Sequence, residues 1–312
     1  MARIENANPI EEARRRSWQV TGPPLSGTSG TLAGFATPGA MAWDITNAVL
    51  YANEGTTASP YWTPVGYDQA PLFGVHADFR DAVGVAISGT TMSVTLAGSG
   101  LRVFGDGHAD TDSGLVVQTA GEGGIEARMT TTDETAHMLA LGMDAGVMQP
   151  DQHGALVVDV EVSNVSAITL RSMFIGFIGT ATAALVAAVT GATTTATLVQ
   201  PDVAGMFFDT GLTDGDRFFG VHNKSGSGGE TQDLTLDGDT SVNIAAAGTY
   251  QRLRVEIAAD GDMVCFVDKA QVYTRAIALD IDEECSPVFY LESNAAAIKT
   301  ADVRRFAAWA SR

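Results

Sequence analysis

At 312 residues the chain is long enough for one large all-β domain with an appendage, or for two modest domains. Its net charge is −19, which argues against nucleic-acid binding by the main body. Charged residues make up only 18% and Gly occupies 34 positions, a composition that favours strands and turns over helices.

Residues 1–17 read as a short arm, helical from Pro9 with Asn8 as its N-cap. EEARRR places acids before bases, the order the helix dipole favours. The first twenty residues hold Arg3, Arg14, Arg15 and Arg16 against Glu5, Glu11 and Glu12, a net of +1 that leaves −20 for the rest. Arg and Trp are favoured at interface hot spots. Arg14, Arg15, Arg16 and Trp18 are therefore the candidate docking residues for an acidic protein surface, with a solvated charged turn as the plainer alternative. No apolar run of a secretion signal is present. Residues 21–40, rich in Gly, Pro, Ser and Thr, read as an extended linker, so 1–40 form an arm and linker.

Residues 41–80 read as a small β-hairpin module followed by a connector containing Pro71 and His76. The hairpin is expected to turn at Thr46-Asn47, with Trp43, Ile45, Val49 and Tyr51 as strand positions. Trp43, Tyr51, Tyr61 and Trp62 crowd this module. They are either its core or an exposed contact surface.

From residue 81 to 312 short apolar runs alternate with Ser-Gly and Asp-Gly turns, the pattern of an antiparallel β-sandwich. In ALVVDVEVS, Leu156, Val158, Val160 and Val162 share one face. Residues 173–200 carry no charge. Their Gly and Thr interruptions and missing basic flanks argue for strands and not a membrane span. The uncharged surface of 180–199 predicts a homotrimer. In TYQRLRVEI, Leu253, Val255 and Ile257 are expected to face the core and Arg252, Arg254 and Glu256 to face solvent. Asp260-Gly261 is expected to form a type I′ turn, and a second turn at Asp268-Lys269-Ala270 leads to QVYTRAI.

The best acidic cluster is Asp106, His108, Asp110 and Asp112. An EF-hand needs a Glu at loop position 12, which here is Val117 or Gly121, so only a different oxygen cage or a polar loop remains. The histidines lack zinc spacing, and neither G-x-S-x-G nor G-x-x-x-x-G-K-[ST] occurs. Cys265, inside MVCFV, reads as a buried thiol, and with Cys285 it makes no disulfide framework. These readings point to no enzyme, no cofactor, no metal, and neither nucleic acid nor membrane as partner.

Residues 44–62 follow the pattern D-x-T-N-x-x-L-Y-x-N-x-G-T-x-x-x-P-x-W. This resembles a passage near the N-termini of tailed-phage structural proteins, where it follows a Gly/Thr/Ser arm. YQRLRVEIAADGDMVCFVDK, with PVFYLES and the terminal AAWA, resembles the strands of concanavalin-like (laminin-G-like) jelly rolls. Together the two passages cover about a third of the chain. Here Lys269 stands where those jelly rolls have Gly after the Asp, and their sugar and Ca²⁺ ligands do not map onto this chain. The resemblance implies a virion protein of the capsid decoration, cement or head-fibre type, often trimeric. It would sit on the outer capsid surface, with the major capsid protein as partner, and stabilise contacts between capsomers. The alternative is a carbohydrate- or receptor-binding virion fibre.

Overall fold

The structure, a computed structural model, describes residues 17–46, 48–65, 73–77, 94–95, 101–107, 112–119, 125–143, 148–164, 167–179, 185–224, 229–234 and 245–310. The expected helix from Pro9 and the residues Arg14, Arg15, Arg16, His108 and Asp110 lie outside them. Backbone contacts divide the chain into two compact units. The first is Met1–Phe73 with Lys269–Gln271 and Ser311–Arg312; the second is Gly74–Asp268 with Val272–Ala310.

The first unit contains a four-stranded sheet in the order β1 (Ser17–Val20), β2 (Met41–Asp44), β3 (Val49–Asn53) and β4 (Trp62–Pro64). The β2–β3 hairpin is antiparallel, as expected from the sequence, whereas β1 pairs with β2 in parallel. Trp18 therefore sits in a strand of the module and not in a preceding arm. The reading of 21–40 as an extended linker is also corrected. Ser26, Ala36 and Ala40 are buried, and the segment is tied back by Gly27 N to Pro60 O (2.8 Å) and Gly34 N to Thr57 O (2.7 Å). Small residues bury little area each, but they let this segment approach the sheet closely. Ala36, Ala40, Ala42, Val49, Tyr51 and Trp62 form the resulting core.

The second unit is an antiparallel, jelly-roll-like sandwich. Its seven-stranded sheet runs β16 (Phe218–Asn223), β15 (Val203–Asp209), β12 (Arg171–Ile178), β21 (Ser286–Ser293), β10 (Met138–Gly142), β7 (Arg102–Phe104) and β6 (Val94–Thr95). The opposing sheet runs β20 (Ala270–Arg275), β19 (Met263–Val267), β18 (Tyr250–Ile257), β11 (Leu156–Asn164), β22 (Thr300–Ala310), β9 (Ile125–Thr130) and β8 (Gly114–Thr119). β5 (Phe73–Ala77) also pairs with β22, so His76 belongs to a strand and not to a connector. A single-turn α-helix, α1 (Pro150–His153), precedes β11. No helix among the described residues is long and apolar enough to cross a membrane.

The strand phase read from the sequence places the inward face correctly. Leu253, Val255 and Ile257 are fully buried and stand in register with Val160, Val158 and Leu156. The outward face is not solvated as expected: Arg254 and Glu256 are 2% and 3% exposed.

A third layer covers the other face of the seven-stranded sheet. One cross-strand row there reads Phe104, Ala140, Tyr290, Phe174, Phe207 and Phe219. Against it pack Leu185, Ala187 and Ala188 together with the sheet β13 (Val189–Ala192), β14 (Thr195–Leu198) and β17 (Glu230–Asp233). The Tyr290 hydroxyl donates to Val189 O (3.1 Å) and accepts from Val189 N (3.2 Å). Much of the uncharged 180–199 stretch is thus spent on a core within one chain. The surface argument for a homotrimer loses its premise, although Val186 and Val199 remain exposed.

Candidate functional site

The residues of the D-x-T-N pattern build the inside of the module. Asp44, fully buried, accepts at Oδ1 from Gly22 N (3.0 Å) and Thr46 N (2.9 Å), which closes the β2–β3 turn. Asn53 works in both directions. Its Nδ2 donates to Ala36 O (2.9 Å) and Thr37 O (3.2 Å), and its Oδ1 accepts from Gly55 N and Tyr61 N (both 2.8 Å). A Cβ at Gly55 would meet Ser59 O at 2.5 Å, so only glycine fits there. Trp62 donates from its backbone N to Ser26 Oγ (2.9 Å) and from Nε1 to Thr31 O (3.0 Å).

The four aromatic candidates divide. Tyr51, Tyr61 and Trp62 are buried and serve as core, while Trp43 is 43% exposed. The alternation of β2 explains this, because Ala42 and Asp44 point inward and Met41 and Trp43 outward. Met41, Ile45 and Phe35 are also exposed. Among the described residues, the exposed aromatic side chains are Phe35 and Trp43, both in the module.

In the sandwich, the outward face of the β18–β11–β22–β9 sheet carries paired charges. Arg252 meets Asp159 in a two-oxygen bridge (2.9 and 2.7 Å), and Arg128 meets Asp302 similarly (2.7 and 2.8 Å). Arg254 Nη2 lies 2.5 Å from Glu256 Oε1, and its guanidinium stands 5.1 Å from the Trp309 ring centroid. Burial pushes the Asp159 carboxyl up. Hydrogen bonds from Arg252 and the charges of Arg305, Arg252 and Arg254 outweigh that and hold it below its usual range. Tyr250 donates to Glu126 and lies under Arg304, 3.6 Å from its ring centroid. Each of these carboxylates is engaged in holding the face together.

The acidic loop does not assemble as a ligand cage among the described residues. Asp106 Oδ1 accepts from Met138 N (2.9 Å), and burial raises its carboxyl. Asp112 Oδ2 accepts from Asp133 N (3.3 Å) instead. Cys265 and Cys285 are both buried free thiols, and burial pushes both up.

No family model matches the chain, and no curated protein matches it in sequence. Solved structures are similar to the chain at low identity. The carbohydrate recognition domain of Emp47p is 10% identical, covering 77% of this chain and 98% of its own, with a TM-score of 0.45. A family 16 endo-glucanase from Bacteroides ovatus is 8% identical over 75% of this chain and 98% of its own, also at 0.45. A protein of unknown function from Shewanella oneidensis MR-1 is 13% identical over 73% and 90%, at 0.41. These likenesses concern the sandwich architecture, which the strand order establishes independently; none of the three is described as a virion component.

One buried group escaped the sequence reading. Glu292, on β21, accepts at Oε2 from Ser172 Oγ (2.5 Å) across the β12–β21 pair. Burial pushes its carboxyl up to about 7. Asp209, next to Ser172 on the other side, is raised as well and accepts from Gly191 N, Gly211 N and Asn294 Nδ2. Their signal in the sequence is a single acid at the end of each of two apolar strands, MFFD and FYLE.

Proposed function

We propose that the protein is a non-catalytic virion component of the capsid decoration type. In this reading residues 17–65 dock on the outer shell and the sandwich is the body so displayed. The observation that carries it is the division of labour within the module. The residues that resemble the phage structural pattern form its interior, and they leave Met41, Trp43 and Ile45 on the outside. A small fold that spends its buried polar groups on its own scaffold while exposing large apolar side chains has the make-up of a docking element. The glycan-binding alternative takes its support from sugar-binding proteins that share the sandwich, at identities that speak to the fold alone.

The test is direct. Purified particles of the encoding phage should carry the chain in many copies, bound to the shell and released without loss of the tail. Particles of normal protein content that contain no such chain would refute the reading.

A further inference from the structure

The chain holds 37 acidic residues against 18 lysines and arginines, so a buried base without an acid beside it is not a matter of scarcity. Arg171, 2% exposed at the start of β12, is such a base. Alternation along the strand turns it away from Phe174 and toward the opposing sheet. There its Nη1 donates to Asn164 Oδ1 (3.0 Å) at the end of β11 and to Thr300 O (2.9 Å) at the start of β22. Its backbone is held as well: N donates to Thr210 Oγ1 (3.1 Å), and O accepts from Thr210 N (3.1 Å).

Both Nη1 hydrogens are thus spent, and on neutral acceptors. The opposite edge of the guanidinium is not: Nε is buried and has no partner among the described residues. That Nε–Nη2 edge presents two parallel N–H groups, the geometry that takes two oxygens of one carboxylate or phosphate. Lys299, the residue before Thr300, is a second base and only 9% exposed. Thr131 fixes its backbone from both sides, with Lys299 N donating to Thr131 Oγ1 (2.9 Å) and Lys299 O accepting from Thr131 N (2.9 Å). Burial pushes Arg171 down to about 10, and burial together with the charge of Arg171 lowers Lys299. Among the described residues no carboxylate pairs with either base. Two neighbouring cations out of water lose hydration and repel each other, and a fold ordinarily pairs such charges.

We infer that Arg171 and Lys299 form a binding site for an oxyanion, with two oxygens on the free edge of the guanidinium and a further one on the Lys299 ammonium. Phosphate, sulfate and carboxylate share that chemistry. Leu170 and Ile298, the residues before each base, are about half exposed, so the chain reaches the surface beside both. All of these residues belong to the second unit, and the site does not rest on the virion reading.

Melting of the full chain in sodium phosphate and in sodium acetate, each against sodium chloride of equal ionic strength, tests the site. Phosphate at about 20 mM should raise Tm by roughly 2–4 °C and saturate, as a ligand with a dissociation constant of about 1 mM does. Lys299→Gln should weaken that binding at least about fivefold. Arg171→Lys, which keeps the charge and loses the fork, should weaken it at least about tenfold. A response to acetate as strong as that to phosphate would assign the site to carboxylates, and a response to phosphate alone to tetrahedral oxyanions. Curves in phosphate and acetate that both follow chloride, or a shift that Lys299→Gln leaves intact, would overturn the site. The Arg171 Nε–H resonance reads the same site in the wild type, without any variant. It should move with the same saturation, and a resonance unmoved at the highest phosphate would equally overturn the assignment.

Discussion

The module and the sandwich solve the burial of polar groups in opposite ways. In the module, burial falls mainly on neutral groups: the Asn53 amide, the Ser26 hydroxyl, the Trp62 indole N–H. In the sandwich, charges themselves are buried, in pairs such as Arg254–Glu256 and Arg252–Asp159. The exception is Asp44, whose side chain accepts from the Gly22 and Thr46 amides; a small module otherwise has little apolar mass to offset the desolvation of ions, which costs several kcal/mol each. A sandwich of two long sheets and a third layer has that mass. The contrast also separates surfaces: neutral and apolar where the module is open, charge-paired where the sandwich sheet faces outward.

The largest expected effect strikes the module. Asn53→Ala removes four hydrogen bonds at once and strands the Gly55 and Tyr61 amides and the Ala36 and Thr37 carbonyls. Buried groups left unsatisfied cost about 1–3 kcal/mol each, so a loss of about 3–5 kcal/mol follows after partial relaxation. Hydrogen exchange should show the 36–62 amides losing protection. Unchanged protection there would mean that Asn53 is not the module's tie point.

In the sandwich, Glu256→Gln should cost about 2–4 kcal/mol, because it leaves Arg254 charged and buried without its counter-ion. The simple strand reading expected a surface substitution of negligible cost. A denaturant midpoint within error of wild type would restore that expectation and dissolve the contrast between the two regions.

Glu292→Gln has the opposite sign. The folded carboxyl titrates at about 7 against an ordinary 4.5, so the native state binds the extra proton between those values. Native stability is then greatest below pH 4.5, falls as pH rises through 4.5 to 7, and stays reduced above. Gln mimics the protonated acid and can still accept from Ser172. The variant should melt higher than wild type at pH 8, by about 2 kcal/mol of stability, and equally near pH 4.5. A variant less stable at pH 8 would show that the ionised carboxylate is the favoured native form.

The sheets were legible wherever residues alternated strictly. Leu253, Val255 and Ile257 face inward as the period of two requires. The pattern cannot reveal what covers the other face. Arg254 and Glu256 look like solvent residues in any two-layer sandwich, and their burial depends on tertiary packing remote in sequence. The third layer was hidden for a similar reason. The Ala- and Thr-rich stretch near 185–198 reads as poor surface whether its burial is against another subunit or against Phe174 and Tyr290 of the same chain. At the docking site, the module and its aromatics were legible. The separation of Trp43 from Tyr51, Tyr61 and Trp62 was not, because segment 21–40 decides which face is covered.

The smallest effect tests the backbone. The expected type I′ turn is not at Asp260-Gly261, where of the two residues only Gly261 has positive φ (86°). It is at Asp268-Lys269, whose φ values are 49° and 70°, in the tight connection from β19 to β20. A lysine in the left-handed region costs about 1–2 kcal/mol relative to a residue that adopts it freely, and glycine does so at the price of a more flexible unfolded chain. Lys269→Gly should therefore stabilise by about 0.5–1 kcal/mol. The tip of β19–β20 groups with the first unit, so the gain also asks what Lys269 does there. If thermal melts show Lys269→Gly destabilising, the side chain contributes more than the backbone strain it imposes. Lys269 would then be an exception to the module's neutrality, held for its charge.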